Sequence, residues 1–124
     1  MKKIGVLFLS LSVSFALTGC AAHDERYYRE HPQALQEAIA ACPNQVPALV
    51  SCEALHQIAL QVNEYVYDLR MGPQAFGKSI LSLQETIAKQ ESSHQASIKS
   101  LLDKQKQELR ERLAIVNWLE SPAS

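Results

Sequence analysis

The stretch from Pro73 to Glu120 contains no further proline and a single glycine, Gly77. It is rich in Gln, Lys, Glu, Leu and Ala, which have high helix propensity. As one straight helix, its 48 residues would span about 72 Å. A domain of this size has a radius of gyration of only about 13 Å. The chain must therefore either fold back within this stretch or extend a helix beyond the compact body.

Apolar residues recur at helical spacing through this stretch, which predicts a buried stripe. The stripe comprises Phe76, Ile80, Leu83, Ile87, Ile98, Leu101, Leu109, Leu113 and Val116. Polar residues occupy several expected apolar positions, namely Gln90, Glu91, His94 and Gln105. The only break signal is the pair Ser92-Ser93, so the pattern favours one long C-terminal helix. The alternative is a helical hairpin that turns near residues 91–93.

Two shorter helices are predicted upstream. His31-Pro32 indicates a helix start, because proline suits the first turn and the residue before it prefers extended backbone. Ser51 is a predicted N-cap for the next helix, with Glu53 at the positive end of the helix dipole. We expect Gly72 to end that helix in the left-handed conformation and Pro73 to start the following one. The apolar stripes of these helices comprise Tyr28, Leu35, Ala38, Ile39 and Cys42, then Leu55, Ile58, Ala59, Val62, Tyr65, Val66 and Leu69.

These patterns predict an all-α fold. We expect a small domain of about three helices that ends in a long C-terminal helix or a helical hairpin. Of 124 residues, 47% are apolar and 20% are charged, which are ordinary values for one globular domain. The boundaries inferred are a leader at 1–19, a tether at 20–26 and one helical domain at 27–124.

The first 20 residues have the pattern of a secretory signal. Lys2 and Lys3 precede an apolar run from Ile4 to Leu17, and a positive end followed by such a run is typical of export. The run would span roughly 21 Å as a helix, whereas a bilayer core is about 30 Å thick. A membrane-spanning helix is therefore disfavoured. Without the two leader lysines, ten basic side chains stand against 13 acidic ones, so nucleic acid is not an expected partner.

The segment Leu17-Thr18-Gly19-Cys20 resembles the lipobox of bacterial lipoproteins. In that class the chain is cut before the cysteine, which carries a diacylglyceryl group and an acyl chain such as palmitate on its new amino terminus. The resemblance implies that Cys20 is the lipid attachment site and that a bilayer is a partner. Ala21 follows the cysteine, which by the sorting pattern of these proteins implies the outer membrane, with the body facing the periplasm.

Cys42 and Cys52 remain as an even pair in an oxidising compartment, which makes a disulfide the expected state. Closing this loop would stabilise the domain by roughly 2.5 to 3 kcal/mol on the loop-entropy model. The competing interpretation is a metal site. It is disfavoured because the cysteines lack C-x-x-C spacing and the four histidines are scattered.

No catalytic residue, metal site or cofactor is predicted. His56 has only Glu53 as an acidic neighbour on its own helix, and His94 lies in a polar stretch. Trp118 and Leu119 are the predicted interface residues, because tryptophan often carries binding energy; packing between helices is the alternative. The segment 99–112, with Glu108 and Arg112 four residues apart, is predicted to be a solvated helix face.

The segment Tyr27-Tyr28-Arg29-Glu30-His31-Pro32, followed by Cys42 and Cys52, resembles the entry-exclusion lipoproteins of the EexN type. The resemblance covers residues 17–54. It implies a protein that interferes with redundant uptake of a conjugative element by contacting the transfer machinery.

The leading hypothesis is an outer-membrane lipoprotein that acts as an interaction module on envelope transfer machinery, such as a type IV secretion or conjugation system. The protein partner is not identified by the sequence. The alternative is an envelope spacer or assembly factor that forms a homo-oligomer through its long helix. A small periplasmic enzyme is the third hypothesis.

Overall fold

A computed structural model describes residues 22–121, and these form five α-helices and one 3-10 turn without any strand. The helices are α1 (Glu25–Glu30), α2 (Pro32–Ala41), α3 (Cys52–Met71), α4 (Pro73–Ser93) and α5 (Lys99–Glu120), and the 3-10 turn is at Ala96–Ile98. The predicted all-α fold is confirmed. The predicted leader at 1–19 and the lipid site Cys20 lie outside the described residues.

The helical domain begins slightly earlier than the predicted residue 27. The carboxylate of Asp24 accepts a hydrogen bond from the backbone N–H of Tyr27 at 2.9 Å, which satisfies a free donor in the first turn of α1. Glu25 adds negative charge at the same end. The stretch between Cys20 and the first helix is therefore shorter than the predicted tether of residues 20–26.

Proline determines three of the helix junctions. His31, Cys42 and Gly72 each precede a proline, and each has extended or non-helical backbone angles. The proline ring clashes with a helical conformation at the preceding residue. The predicted left-handed conformation of Gly72 is therefore wrong: its φ is −144° and its ψ is 69°. Pro73 begins α4 as predicted.

The start of α3 agrees with its predicted cap. The Ser51 hydroxyl accepts a hydrogen bond from the backbone N–H of Ala54 at 3.1 Å, and Glu53 lies in the first turn. From this start, α3 runs through the centre of the molecule and packs against each of the other four α-helices.

The C-terminal half is a hairpin, so the favoured prediction of one continuous helix is wrong. The helix breaks at His94, which adopts the left-handed conformation at φ 50° and ψ 28°. Just before it, the hydroxyls of Ser92 and Ser93 donate to backbone carbonyls three residues earlier, at 2.8 and 2.7 Å. Such side-chain bonds compete with the helical pattern of the backbone. The serine pair therefore marks the turn, as the hairpin alternative predicted.

The buried core forms where α3 meets the other helices. Its members are Tyr28, Leu35, Val50, Leu55, Ile58, Val62, Tyr65, Phe76, Ile80 and Ile115. The predicted stripes of α2 and α3 supply most of this list. Cys42 also packs against the core, as expected from its position on the apolar stripe of α2.

The predicted apolar stripe of α5 is confirmed for Leu109 and Val116, which pack against the core, and is wrong for Leu101 and Leu113. Leu101 and Leu113 are exposed, while Ile115 and Glu111 are buried, with 0% and 5% of their surface accessible. Two causes account for the difference. The break at His94 removes the phase relation between α4 and α5, and α5 packs against α1, α2, α3 and α4, so more than one of its faces is covered.

The outer part of the hairpin lies beyond the core. None of the described residues 81–108 belongs to the core cluster or to the apolar residues packed against it. We call residues 81–108 the distal hairpin. Its two helical segments, from α4 and α5, are linked by an ion pair between Glu91 and Lys106. Ile87 is buried within the distal hairpin. Among the described helices, none is long and apolar enough to cross a membrane.

Candidate functional site

A groove lies on the surface where α1 and α2 meet the C-terminal half of α5. We call it the α1–α5 groove, and its volume is about 660 Å³. The residues that form its walls include Tyr27, Glu30, His31, Pro32, Ala34, Arg110, Leu113, Asn117 and Trp118. The walls combine aromatic, aliphatic and charged groups, a composition that suits binding of another molecule.

Aromatic rings are stacked at one wall of the groove, which Tyr27 and His31 line. The ring of Tyr27 lies 3.5 Å from that of His23 and 4.0 Å from that of His31, both nearly parallel to it. The Nδ1 atom of His31 is 2.7 Å from the backbone oxygen of Tyr27. Tyr27 lies in α1, whereas His23 precedes the helix and His31 follows it, so the stack extends across both ends of α1.

The two predicted interface residues lie on different surfaces of α5. Trp118 is half-buried and lines the α1–α5 groove. Leu119 packs against the core. Arg110 also lines the groove and forms an ion pair with Glu30, with 2.8 Å between Nε and Oε1. Trp118 is thus the better placed of the two to contact another molecule.

A buried carboxylate lies between α3 and α5. The Oε1 atom of Glu111 accepts a hydrogen bond from the amide of Gln107 at 3.2 Å, and Oε2 accepts one from the amide of Gln61 at 3.5 Å. The oxygen of Gln61 in turn accepts from the guanidinium of Arg29. This chain of contacts connects α1, α3 and α5 through polar groups, so it fixes their relative positions.

Burial raises the pKa of Glu111 above its ordinary value of 4.5. The hydrogen bond from Gln107 and the charge of Arg29 act in the opposite direction, whereas the nearby carboxylates of Glu108 and Glu30 raise the pKa further. Removal from water disfavours the charged form of an acid. The folded protein therefore binds this proton more tightly than the unfolded chain does.

The raised pKa predicts a pH effect for Glu111→Gln. The stabilising contribution of the protonated Glu111 is complete below pH 4.5 and is lost as pH rises through the higher folded pKa. Because glutamine does not ionise, the free energy of unfolding of the variant should increase relative to that of the wild type as pH rises from 4.5 through the folded pKa of Glu111. Urea unfolding at a series of pH values measures the difference. Glu120→Gln, at an exposed site on the same helix, is the control, and a difference for Glu111→Gln that is independent of pH would contradict the prediction.

Arg112 joins three helices, although the segment 99–112 was predicted to be a solvated face. Its guanidinium lies 4.8 Å from the ring centre of Tyr65 and 5.2 Å from that of Phe76. It also pairs with Glu108 at 2.9 Å and donates to the hydroxyl of Ser79 at 3.0 Å. The predicted pairing of Glu108 with Arg112 is confirmed, but the prediction of a solvated face is wrong for Arg112, whose side chain is only 17% exposed.

The sulfur atoms of Cys42 and Cys52 lie at disulfide distance, with their Cα atoms 6.1 Å apart. The pair joins the end of α2 to the start of α3, and residues 43–51 form the loop between them. Val50 in this loop is buried in the core. The loop is thus held at both of its ends.

The two histidines considered as catalytic candidates, His56 and His94, lie on the protein surface. His56 is exposed on α3 and His94 is exposed at the turn of the hairpin. Among residues 22–121, no group of three or more His, Cys, Asp and Glu side chains is placed to hold a metal ion. The α1–α5 groove and the distal hairpin are the candidate binding surfaces in this part of the chain.

Comparisons with protein-family models, with curated proteins and with solved structures found no match to this chain.

Proposed function

We propose that this protein is an outer-membrane lipoprotein that acts by binding envelope transfer machinery, with entry exclusion as its biological effect. The proposal rests on the lipobox-like segment 17–20, the resemblance of residues 17–54 to entry-exclusion lipoproteins, and the shape of the folded domain. It assigns binding, without catalysis, to the described surfaces.

The observation that carries the proposal is the distal hairpin. Its residues 81–108 contribute nothing to the core cluster. Their role is therefore not to stabilise that core. Leu81 and Leu101 are 65% and 48% exposed on the distal hairpin. A helical hairpin that extends beyond the core and exposes leucines is suited to contact another protein.

Cell mating tests the proposed activity. Recipient cells that make the full-length protein should take up a conjugative element less often than cells without it. Leu101→Glu should restore uptake, because a charge on the distal hairpin opposes burial against a partner. The matched control is Leu60→Glu, on α3, since Leu60 is 64% exposed and lies outside the hairpin. Equal uptake with and without the wild-type protein would contradict entry exclusion.

Recovery of partners from membranes separates binding to machinery from self-association. Under the proposal, lipid-anchored bait should recover components of an envelope assembly, and Leu101→Glu should reduce that recovery. Recovery of only further copies of the bait would instead favour the spacer hypothesis, in which the long hairpin pairs with itself.

The proposed anchor predicts the effect of Cys20→Ser. Serine lacks the thiol that would receive the lipid, so the variant should remain uncleaved or be found in the wrong fraction. Fractionation with labelled fatty acid measures this outcome. If the variant still fractionates with the outer membrane, lipid attachment at Cys20 is refuted.

A further inference from the structure

One surface of the domain lies next to the point where the chain enters it. His23 and Tyr27 line the same cavity, of about 450 Å³, as Gln45, Val46 and Pro47. His23 follows Cys20 by three residues, and three residues span at most about 10 Å. A lipid on Cys20 would therefore hold the loop between α2 and α3 close to the membrane surface.

That loop carries no charge. From Ala38 to Cys52 there is no Asp, Glu, Lys or Arg, although one residue in five of the whole chain is charged, at 20%. The acidic domain as a whole is repelled by anionic lipid headgroups. An uncharged stretch is the part of such a protein that can approach them without that repulsion.

The loop also presents apolar side chains to solvent. Val46 is 55% exposed and Leu49 is 62% exposed. Their backbone is restrained by Pro43 and Pro47, by the pairing of Cys42 with Cys52 and by burial of Val50. Because these restraints already hold the loop, little conformational freedom remains to be lost when it binds a surface.

We propose that residues 43–50 form a second contact with the lipid bilayer, in which Val46 and Leu49 insert at the level of the headgroups. This inference rests on the proposed lipid anchor at Cys20. The contact orients the domain, since the acyl chains on Cys20 alone leave it free to rotate about a short tether. With the loop bound to the bilayer, the end of the domain that carries residues 43–50 faces the membrane.

Tryptophan fluorescence tests the contact in the full-length protein. Trp118 is the only tryptophan, so Trp118→Phe removes the tryptophan fluorescence of the native chain. Leu49→Trp or Leu60→Trp is then introduced into this variant as the single fluorescent reporter. The two leucines are matched, at 62% and 64% exposure. Each protein is purified from membranes and reconstituted in phosphatidylcholine and phosphatidylglycerol vesicles that contain lipid brominated near the top of the acyl chain.

The tryptophan at position 49 should show blue-shifted emission and about twofold quenching by the brominated lipid, as expected for a side chain at the acyl boundary. The tryptophan at position 60 should show neither. Val46→Trp in the same background is a second reporter, which covers the case that Leu49→Trp disturbs the loop. Equal quenching at 49 and 60, or none at 46 and 49, would overturn the proposal.

Labelled fatty acid separates failure of the anchor from failure of the loop contact. Incorporated label without quenching at 46 and 49 rejects the loop contact alone. Quenching at these sites without incorporated label rejects the anchor and supports the loop contact. If Leu49→Asp reduces recovery of a protein partner while position 49 is not quenched, the loop faces protein and the proposed bilayer contact is wrong.

Discussion

Replacing Ile115 with alanine should lower the free energy of unfolding by about 2 to 5 kcal/mol, the range observed when a buried isoleucine or leucine is truncated. Ile115 is completely buried and belongs to the cluster that joins α5 to α3. The loss would be a large part of the stability of a small domain, which is typically about 5 to 15 kcal/mol. Urea unfolding followed by circular dichroism measures it.

Leu113→Ala is the matched control for Ile115→Ala. Leu113 is two residues away on the same helix but is 36% exposed, so its truncation removes fewer contacts and should have a much smaller effect. The pair also tests the phase of α5, because the apolar spacing of the sequence places Leu113 in the core. A larger decrease in the free energy of unfolding for Leu113→Ala than for Ile115→Ala would contradict burial of Ile115 in the core.

Replacing both Cys42 and Cys52 with serine should lower the free energy of unfolding by roughly 2.5 to 3 kcal/mol, because the cross-link restricts the unfolded chain. Urea unfolding of wild type and variant, each with and without reductant, measures the difference.

Reductant provides the internal control for the cysteine variant. It should destabilise the wild type toward the level of the variant and leave the variant unchanged. Two free thiols in protein recovered from the periplasm, or a wild type that does not respond to reductant, would contradict a stabilising disulfide.

Local signals predicted the helices well. Capping by Ser51, the helix starts at Pro32 and Pro73, and the buried stripe of α3 all follow from neighbouring residues in the sequence. Gly72 shows where two local rules conflict. Glycine at a helix end favours the left-handed conformation, but Pro73 imposes extended backbone on the residue before it, and the steric effect of proline prevails.

The buried polar residues were not predicted. Glu111 lies four residues before Ile115 and four after Gln107, so it shares their face of α5. A charged residue usually indicates a solvated position. Its burial depends on Gln61 and Arg29, which are 50 and 82 positions earlier and are brought close only by the packing of α1 and α3.

The amino-acid sequence by itself determined the helical class, the starts of α2, α3 and α4, and the pairing of Cys42 with Cys52, because caps, prolines and short loops act between residues that are close along the chain. Only the tertiary structure decided that α4 and α5 form a hairpin, that Ile115 rather than Leu113 is buried, and that a groove forms beside Trp118. Each of these depends on which faces of different helices meet, and that choice is made by the simultaneous burial of residues that are distant in the sequence.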